Sequence, residues 1–330
     1  MGHGLFVGLI TLDLVYRVSH PPSTNQKIVA SDYIVAAGGP ATNAAIAFHH
    51  LSQIHPPSHS SPVPTTTILG VLGCHPMAQL VRTEVEQWGV AIADLDPTYP
   101  QPVPTSSIMV TESTGDRAVV SLNAIKCQAT PQQIPKPIFD SLWPDIGVVL
   151  IDGHQMAVGR AIAMQAKRDR IPVVVDAGSW KPHFDQVLRY ADYVICSANF
   201  HPPECTTSED VFQYLRQLGV PHIVITHGAE PIEYWQPCDS LPFGAGTSPS
   251  TPSGVTIPIP KIQPVDTLGA GDIFHGAFCH YLLHALPQRT QNVLTSSHSV
   301  DVIEPLVNAA HIASHACEYF GPRAWMQVSP

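Results

Sequence analysis
The sequence predicts an α/β fold: a doubly wound, mainly parallel sheet covered by helices on both faces, with a small separate β-sheet. Three observations carry this. Six short runs, Leu5–Ile10, Thr67–Leu72, Val148–Ile151, Pro172–Asp176, Tyr193–Cys196 and Ile223–Thr226, are apolar throughout instead of alternating, as strands buried on both faces must be. The stretches between them carry the 3.6-residue apolar period of helices. Two segments, 14–35 and 103–124, read as extended with no helix between their strands, the mark of a second, smaller sheet.

Taken in order, Leu5–Ile10 opens the large sheet and 14–35 leaves it. Gly38-Gly39 forms a turn into a helix over Asn43–Leu51. Residues 55–66, rich in Pro and Ser, lack any period and read as an exposed, disordered loop. Thr67–Leu72 precedes a helix at Met77–Trp88. In 103–124, Ser106–Thr111 and Arg117–Leu122 flank Glu112-Ser113-Thr114-Gly115-Asp116, a hairpin turn. Strands and helices then alternate, the helices being Ala157–Arg168, Phe184–Tyr190 and Ser208–Leu218. After Ile223–Thr226 comes a long Gly-, Ser-, Thr- and Pro-rich segment, 237–254. The helix Gly271–Leu286 shows an apolar stripe at Ile273, Phe274, Ala277, Phe278, Tyr281, Leu282 and Ala285. Val302–Tyr319 is the last helix.

Composition narrows the function. The 330 residues suffice for one large domain or two smaller ones. A net charge of −10 argues against a nucleic-acid binder. No run of 18 apolar residues is present, so no membrane span is expected. No basic leader precedes the first strand, so no signal peptide is expected either. The 7 cysteines are scattered without a C-x-x-C pair, which predicts reduced thiols and a cytoplasmic protein. Among the 18 histidines, His311 and His315 stand i, i+4 on an expected helix, and they read as an ordinary helical pair and not as a metal site.

The chemistry concentrates in Asp266-Thr267-Leu268-Gly269-Ala270-Gly271-Asp272. Two carboxylates bracket a glycine turn, and a helix starts at the second. Amides at a helix start lack intrahelical partners, and the dipole makes them an anion cradle. A carboxylate at the mouth of such a cradle suits a phosphoryl group meeting an alcohol. A simple N-cap at Asp272 would not call for Asp266 as well. The helix start is also expected to lower the pKa of Asp272 and keep it ionised. The amides of Gly269, Ala270 and Gly271 would neutralise the transferring phosphoryl oxygens.

This run resembles the D-T-x-G-A-G-D signature of the PfkB, or ribokinase-like, sugar and nucleoside kinases. Gly38-Gly39-Pro40-Ala41-Thr42-Asn43-Ala44-Ala45 resembles their G-G-x-x-x-N-x-A signature. The resemblance covers nearly the whole chain and implies one ribokinase-like kinase domain over 1–330, with segments 14–35 and 103–124 as a lid and dimer surface. It implies Asp272 as base, with Asp13, Gly39 and Asn43 holding acceptor hydroxyls. Asp266 would face the acceptor or a monovalent-cation loop. Thr11 stands where members with a ribose or ketose acceptor often carry Asn. On the nucleotide side, Thr226 and Gly228 resemble a T-x-G-x-x-G phosphate turn, with Pro231 in place of the last glycine. Asn199 fits an N-x-x-E magnesium motif whose acid is displaced to Glu204. Arg117 resembles a lid base that reaches nucleotide phosphate, and Asn308 lies at a helix start that borders adenine.

The function implied is ATP- and Mg²⁺-dependent phosphorylation of a hydroxymethyl group on a small sugar. The alternatives are a nucleoside kinase of the same fold and, given the altered Thr226 and Asn199 regions, a non-catalytic sugar or nucleotide sensor. A dinucleotide oxidoreductase is disfavoured because no G-x-G-x-x-G follows the first strand.

Overall fold
The computed structural model describes residues 2–56, 64–235, 254–286 and 301–328. In chain order the elements are β1 (His3–Val7), β2 (Thr11–Val18), β3 (Asp32–Gly38), α1 (Pro40–Ile54), β4 (Thr66–Gly70), α2 (Pro76–Gln87), β5 (Ala91–Asp94), β6 (Thr105–Thr111), β7 (Arg117–Ser121) and β8 (Ile146–Ile151). They continue with α3 (Met156–Arg168), β9 (Val173–Ala177), α4 (Asp185–Leu188), β10 (Tyr193–Ser197), α5 (Ser208–Gln217), β11 (His222–His227), β12 (Glu230–Trp235), β13 (Gly254–Ile257), α6 (Ala270–Ala285) and α7 (Ile303–Ala316).

The large sheet runs β13-β12-β11-β10-β9-β8-β1-β4-β5. From β11 to β5 every pairing is parallel, while β12 and β13 add an antiparallel edge. Successive strand residues serve opposite faces. Phe6, Val148, Leu150, Val174 and Ile195 join the core under α1, α2, α6 and α7. Leu5, Val7, Val149, Ile151, Val173, Val175 and Val194 join the core under α3, α4 and α5. This two-sided burial is why the strands read as unbroken apolar runs. Each such side chain contributes roughly 1.5–3 kcal/mol on removal from water.

The second sheet has the order β3-β2-β6-β7. Its inner face, Val15, Ile108 and Val110, packs with Ile34, Leu268 and Phe320. Its outer face leaves Tyr16, Tyr33, Val35 and Val120 exposed. The cross-strand partners Leu14↔Val35, Tyr16↔Tyr33, Tyr16↔Met109 and Ser107↔Val120 put these side chains on one surface.

Several boundaries differ from expectation. The extended segment expected over 14–35 is two strands, 11–18 and 32–38, separated by a stretch containing Pro21-Pro22, which cannot donate to a ladder. The helix expected over 184–190 keeps only four residues. The turn at Thr226 leads into an antiparallel hairpin, with β12 pairing back onto β11 in a register that shifts between Ile225 and His227. Pro231 in β12 lacks the amide that regular pairing needs, which hid this strand from the sequence pattern. The short β5 was not expected either. Most of segment 237–254 and residues 57–63 of the earlier loop lie outside the described residues.

Candidate active site
The site is assembled where α1 and α6 meet, beside the carboxyl ends of the parallel strands, where open α/β sheets place their ligands. Gly276, nearly two turns into α6, sits so close to α1 that an added Cβ would lie 2.3 Å from the Ala44 carbonyl oxygen. That contact brings Asn43, Ala44's chain neighbour, against the start of α6. Asn43 Nδ2 donates to Asp272 Oδ2 at 2.7 Å. The two signatures, far apart in the chain, therefore share a hydrogen bond.

The turn before α6 is held on three sides. Gly269 adopts φ 72°, a left-handed conformation that favours glycine. Thr267 donates its amide (3.1 Å) and hydroxyl (3.0 Å) to the Gly115 carbonyl in the turn between β6 and β7. Asp266 is buried, and its carboxylate accepts from the amides of Leu268 (2.8 Å) and Gly321 (2.9 Å). Those bonds tie the loop to the C-terminal segment. The Ala270 amide leans on the Thr267 carbonyl at 3.4 Å, whereas Gly271 is exposed with open space beyond it.

The loop around Asp13 and Gly39 is as tightly built. Asp13 lies buried within β2, and Thr11 Oγ1 donates to its Oδ1 at 2.7 Å. Thr11 thus orients the carboxylate. Gly38 is required beside it, because a Cβ there would overlap the Asp13 carboxylate. Gly39 has φ 99°, and a Cβ would approach the Leu9 carbonyl to 2.3 Å. Burial raises the pKa of Asp13, opposed by hydrogen bonds from Thr11 and Ser106 and by the charge of Arg323. Asp152, unforeseen in the sequence, buttresses this loop by accepting from the amides of Leu9 (2.8 Å) and Ala41 (3.2 Å).

The electrostatics of Asp272 reverse the expectation. Burial first, then the Asp176 carboxylate at the end of β9, push its pKa up to about 6. The Asn43 hydrogen bond and the charges of His275 and Arg117 pull the other way. The helix start does not win, because desolvation and a like charge outweigh a dipole contribution of about 1 kcal/mol. His275 lies between the start of α6 and β9: its Nδ1 meets the Gly271 carbonyl at 2.6 Å and its Nε2 lies 3.7 Å from Asp176 Oδ1. Asp176, His275 and Arg323 carry no sequence signal that separates them from core residues; only their neighbours mark them.

The remaining expected residues are more scattered. Arg117 donates to the Thr267 carbonyl at 2.6 Å, so its guanidinium braces the turn. Thr226 Oγ1 donates to the Cys196 carbonyl at 3.2 Å, and Gly228 (φ 66°) faces open space. Asn199 and Glu204 are exposed on the segment after β10, Glu204 with φ 67°. Asn308 is half-buried in the second turn of α7. Among the described residues no three His, Cys, Asp or Glu side chains are grouped to hold a metal. A hollow of about 310 Å³ lined by Lys167, Arg170, Asp192 and His222 opens at the opposite, amino end of β9–β11, away from these groups.

Comparisons with known proteins point to one family. The profile of the pfkB family carbohydrate kinases matches residues 2–324. A ribokinase of Lactococcus lactis is 24% identical over 316 residues, covering 93% of this chain and 89% of that protein. The ribokinase structure from Giardia lamblia superposes with a TM-score of 0.76 at 19% identity, covering 99% of this chain and 96% of that one. The Arabidopsis thaliana ribokinase complexed with ribose and ATP superposes with a TM-score of 0.69 at 18% identity over 100% of both chains. The two signatures joined through Asn43 and Asp272 thus sit in a chain that belongs, across almost its whole length, to the PfkB family of carbohydrate kinases.

Proposed function
We propose that this kinase transfers the γ-phosphoryl group of ATP to a hydroxymethyl group of a small sugar, with Asp272 as the base. The observation that carries the reading is the 2.7 Å bond between Asn43 and Asp272. It joins an acceptor-holding loop to a carboxylate at the start of a helix. The acceptor hydroxyl would pass its proton to Asp272 as its oxygen bonds to phosphorus and the bond to the ADP oxygen breaks. A loose transition state needs that proton removed late, so placement matters more than basicity. Asp13, Gly39 and Asn43 would orient the hydroxyls. The amides of Gly269 and Gly271 would face the phosphoryl oxygens, joined by that of Ala270 once it leaves Thr267. Thr226, Gly228 and Asn308 would border the nucleotide.

The donor set fits Mg²⁺, which is held through one or two carboxylates, water and phosphate oxygens and not by a protein cage. Asn199 and Glu204 would support it, and bound Mg²⁺ would neutralise phosphate charge. We assign the whole chain to one kinase domain. The exposed apolar face around Tyr16, Tyr33, Val35 and Val120 supports a homodimer through the lid. Sedimentation would test this, since Tyr33→Glu should yield monomers. Six free cysteines among the described residues favour a reducing, cytoplasmic setting.

The deciding experiment is a coupled ADP-release assay with Mg²⁺ across D-ribose, 2-deoxy-D-ribose, hexoses and nucleosides. Sugar-stimulated ADP release is expected. Release with nucleosides alone would make it a nucleoside kinase. No stimulation by any of them, with binding retained, would make it a sensor.

A further inference from the structure
Behind the acceptor loop lies a buried cation. Arg323, on the C-terminal segment and 8% exposed, donates from Nη2 to the Ala37 carbonyl (2.9 Å) and to Asn43 Oδ1 (2.9 Å). Its Nη1 donates to the Pro322 carbonyl at 3.2 Å, and its Nε lies 3.7 Å from Glu84 Oε1 without a hydrogen-bond partner. Glu84, on α2, accepts the Ala37 amide at 2.6 Å. A buried guanidinium is costly unless its charge and donors are answered. Here Glu84, Asp13 and Asp272 answer the charge.

A guanidinium carries donors and no acceptor. The Asn43 amide can therefore turn only its oxygen toward Arg323. Its NH₂ must then face Asp272 Oδ2. The flipped amide would set NH₂ against guanidinium and oxygen against carboxylate, two repulsive contacts in place of two hydrogen bonds. We infer that Arg323 is a positioning residue for the proton acceptor: it locks Asn43 so that an N–H donor always meets Asp272 Oδ2, leaving the other carboxylate oxygen to take the hydroxyl proton. This rests on the reading of Asp272 as base.

The groups around Asp272 act in opposite senses. Burial and then Asp176 from β9 favour protonation, while Asn43 from α1, His275 from α6 and Arg117 from β7 favour ionisation. Arg323 adds its charge and fixes the Asn43 contribution; Asp13 on β2 and Glu84 on α2 partly neutralise it.

The test is a ¹³C-NMR titration of aspartate carboxyls in the free enzyme, with the Asp272 signal assigned by its loss in Asp272→Asn. Arg323→Met should raise the Asp272 midpoint by about half a unit or more. In an Asn43→Ser background the same change should shift it by less than half as much, since the coupling runs through the amide. Should Arg323→Met fail to fold, Glu84→Gln reads the same network from the far end: with its counter-ion gone, Arg323 should lower the midpoint, and by less than half as much in the Asn43→Ser background. An unmoved midpoint in the folded variant, or a full shift surviving in Asn43→Ser, overturns the inference. The titration needs no acceptor, so it can fail while the kinase reading stands, and the reverse.

Discussion

Asp272→Asn separates chemistry from stability at one atom. The new amide keeps the shape of the carboxylate and can still accept from Asn43 Nδ2, now at 2.7 Å from Oδ2. It cannot take a proton from an alcohol. General base catalysis is worth about 10²–10⁴-fold, so kcat should fall at least about 100-fold with acceptor binding kept. The structure adds a second signature. The Asp272 pKa is raised from 3.8 to about 6 by burial and by Asp176, so its ionised form costs stability. A shift of about two units corresponds to a ceiling of about 3 kcal/mol, and the partial solvent contact of Asp272 reduces it. The sign follows from linkage: a group with a raised folded pKa favours folding at low pH and loses that contribution as pH rises through about 6. Asp272→Asn should therefore raise the melting temperature at pH 8 and leave it nearly unchanged at pH 4. Steady-state kinetics and calorimetry at the two pH values check both. Retention of more than about a tenth of kcat refutes the base assignment. An equal stability gain at both pH values refutes the buried-charge argument.

Gly271→Ala tests the anion cradle, because an added methyl meets nothing within 4 Å in the protein. Stability should hold or rise by up to about 1 kcal/mol at this helical position, while kcat/KM for ATP falls at least about tenfold; full activity would place the phosphoryl group elsewhere. Acid should weaken the fold: burial holds His280 down to about 3 and His3 to about 4, and lowers His49, His50 and His284. Their unfolded forms take up protons below about pH 6.5, so stability present at pH 7.5 is lost as pH falls, by about 2 kcal/mol each for His3 and His280 at pH 5. Urea unfolding from pH 7.5 to 5 reads this, His280→Leu should recover about half of that pair's loss, and a constant midpoint would refute it.

Much of the site was legible because its backbone demands particular residues. Gly39 is a glycine because a positive φ and the close Leu9 carbonyl leave no room for a Cβ, and Gly269 because its φ of 72° favours glycine; such positions stay visible in the sequence. The parallel strands were legible from two-sided burial. The edge strands β12 and β13 were not, because Pro231 breaks the pattern and pairing partners come from elsewhere in the chain. Arg117 and Asp266 were recognised as important, but their partners were not. A guanidinium or carboxylate can serve phosphate, sugar or backbone, and spacing alone does not choose among them.

The sequence by itself determined the layers of the fold, the turn into α6, and the identity of Asp13, Asn43 and Asp272 as the polar groups at the ends of apolar elements. Tertiary structure alone decided how those groups behave. It set Asp176 and burial against the helix start at Asp272, and it turned the Asn43 amide through Arg323. The physical reason is that apolar period and backbone conformation are local properties, written residue by residue. Proton affinity and hydrogen-bond direction depend on the field of whatever the fold brings within a few ångströms.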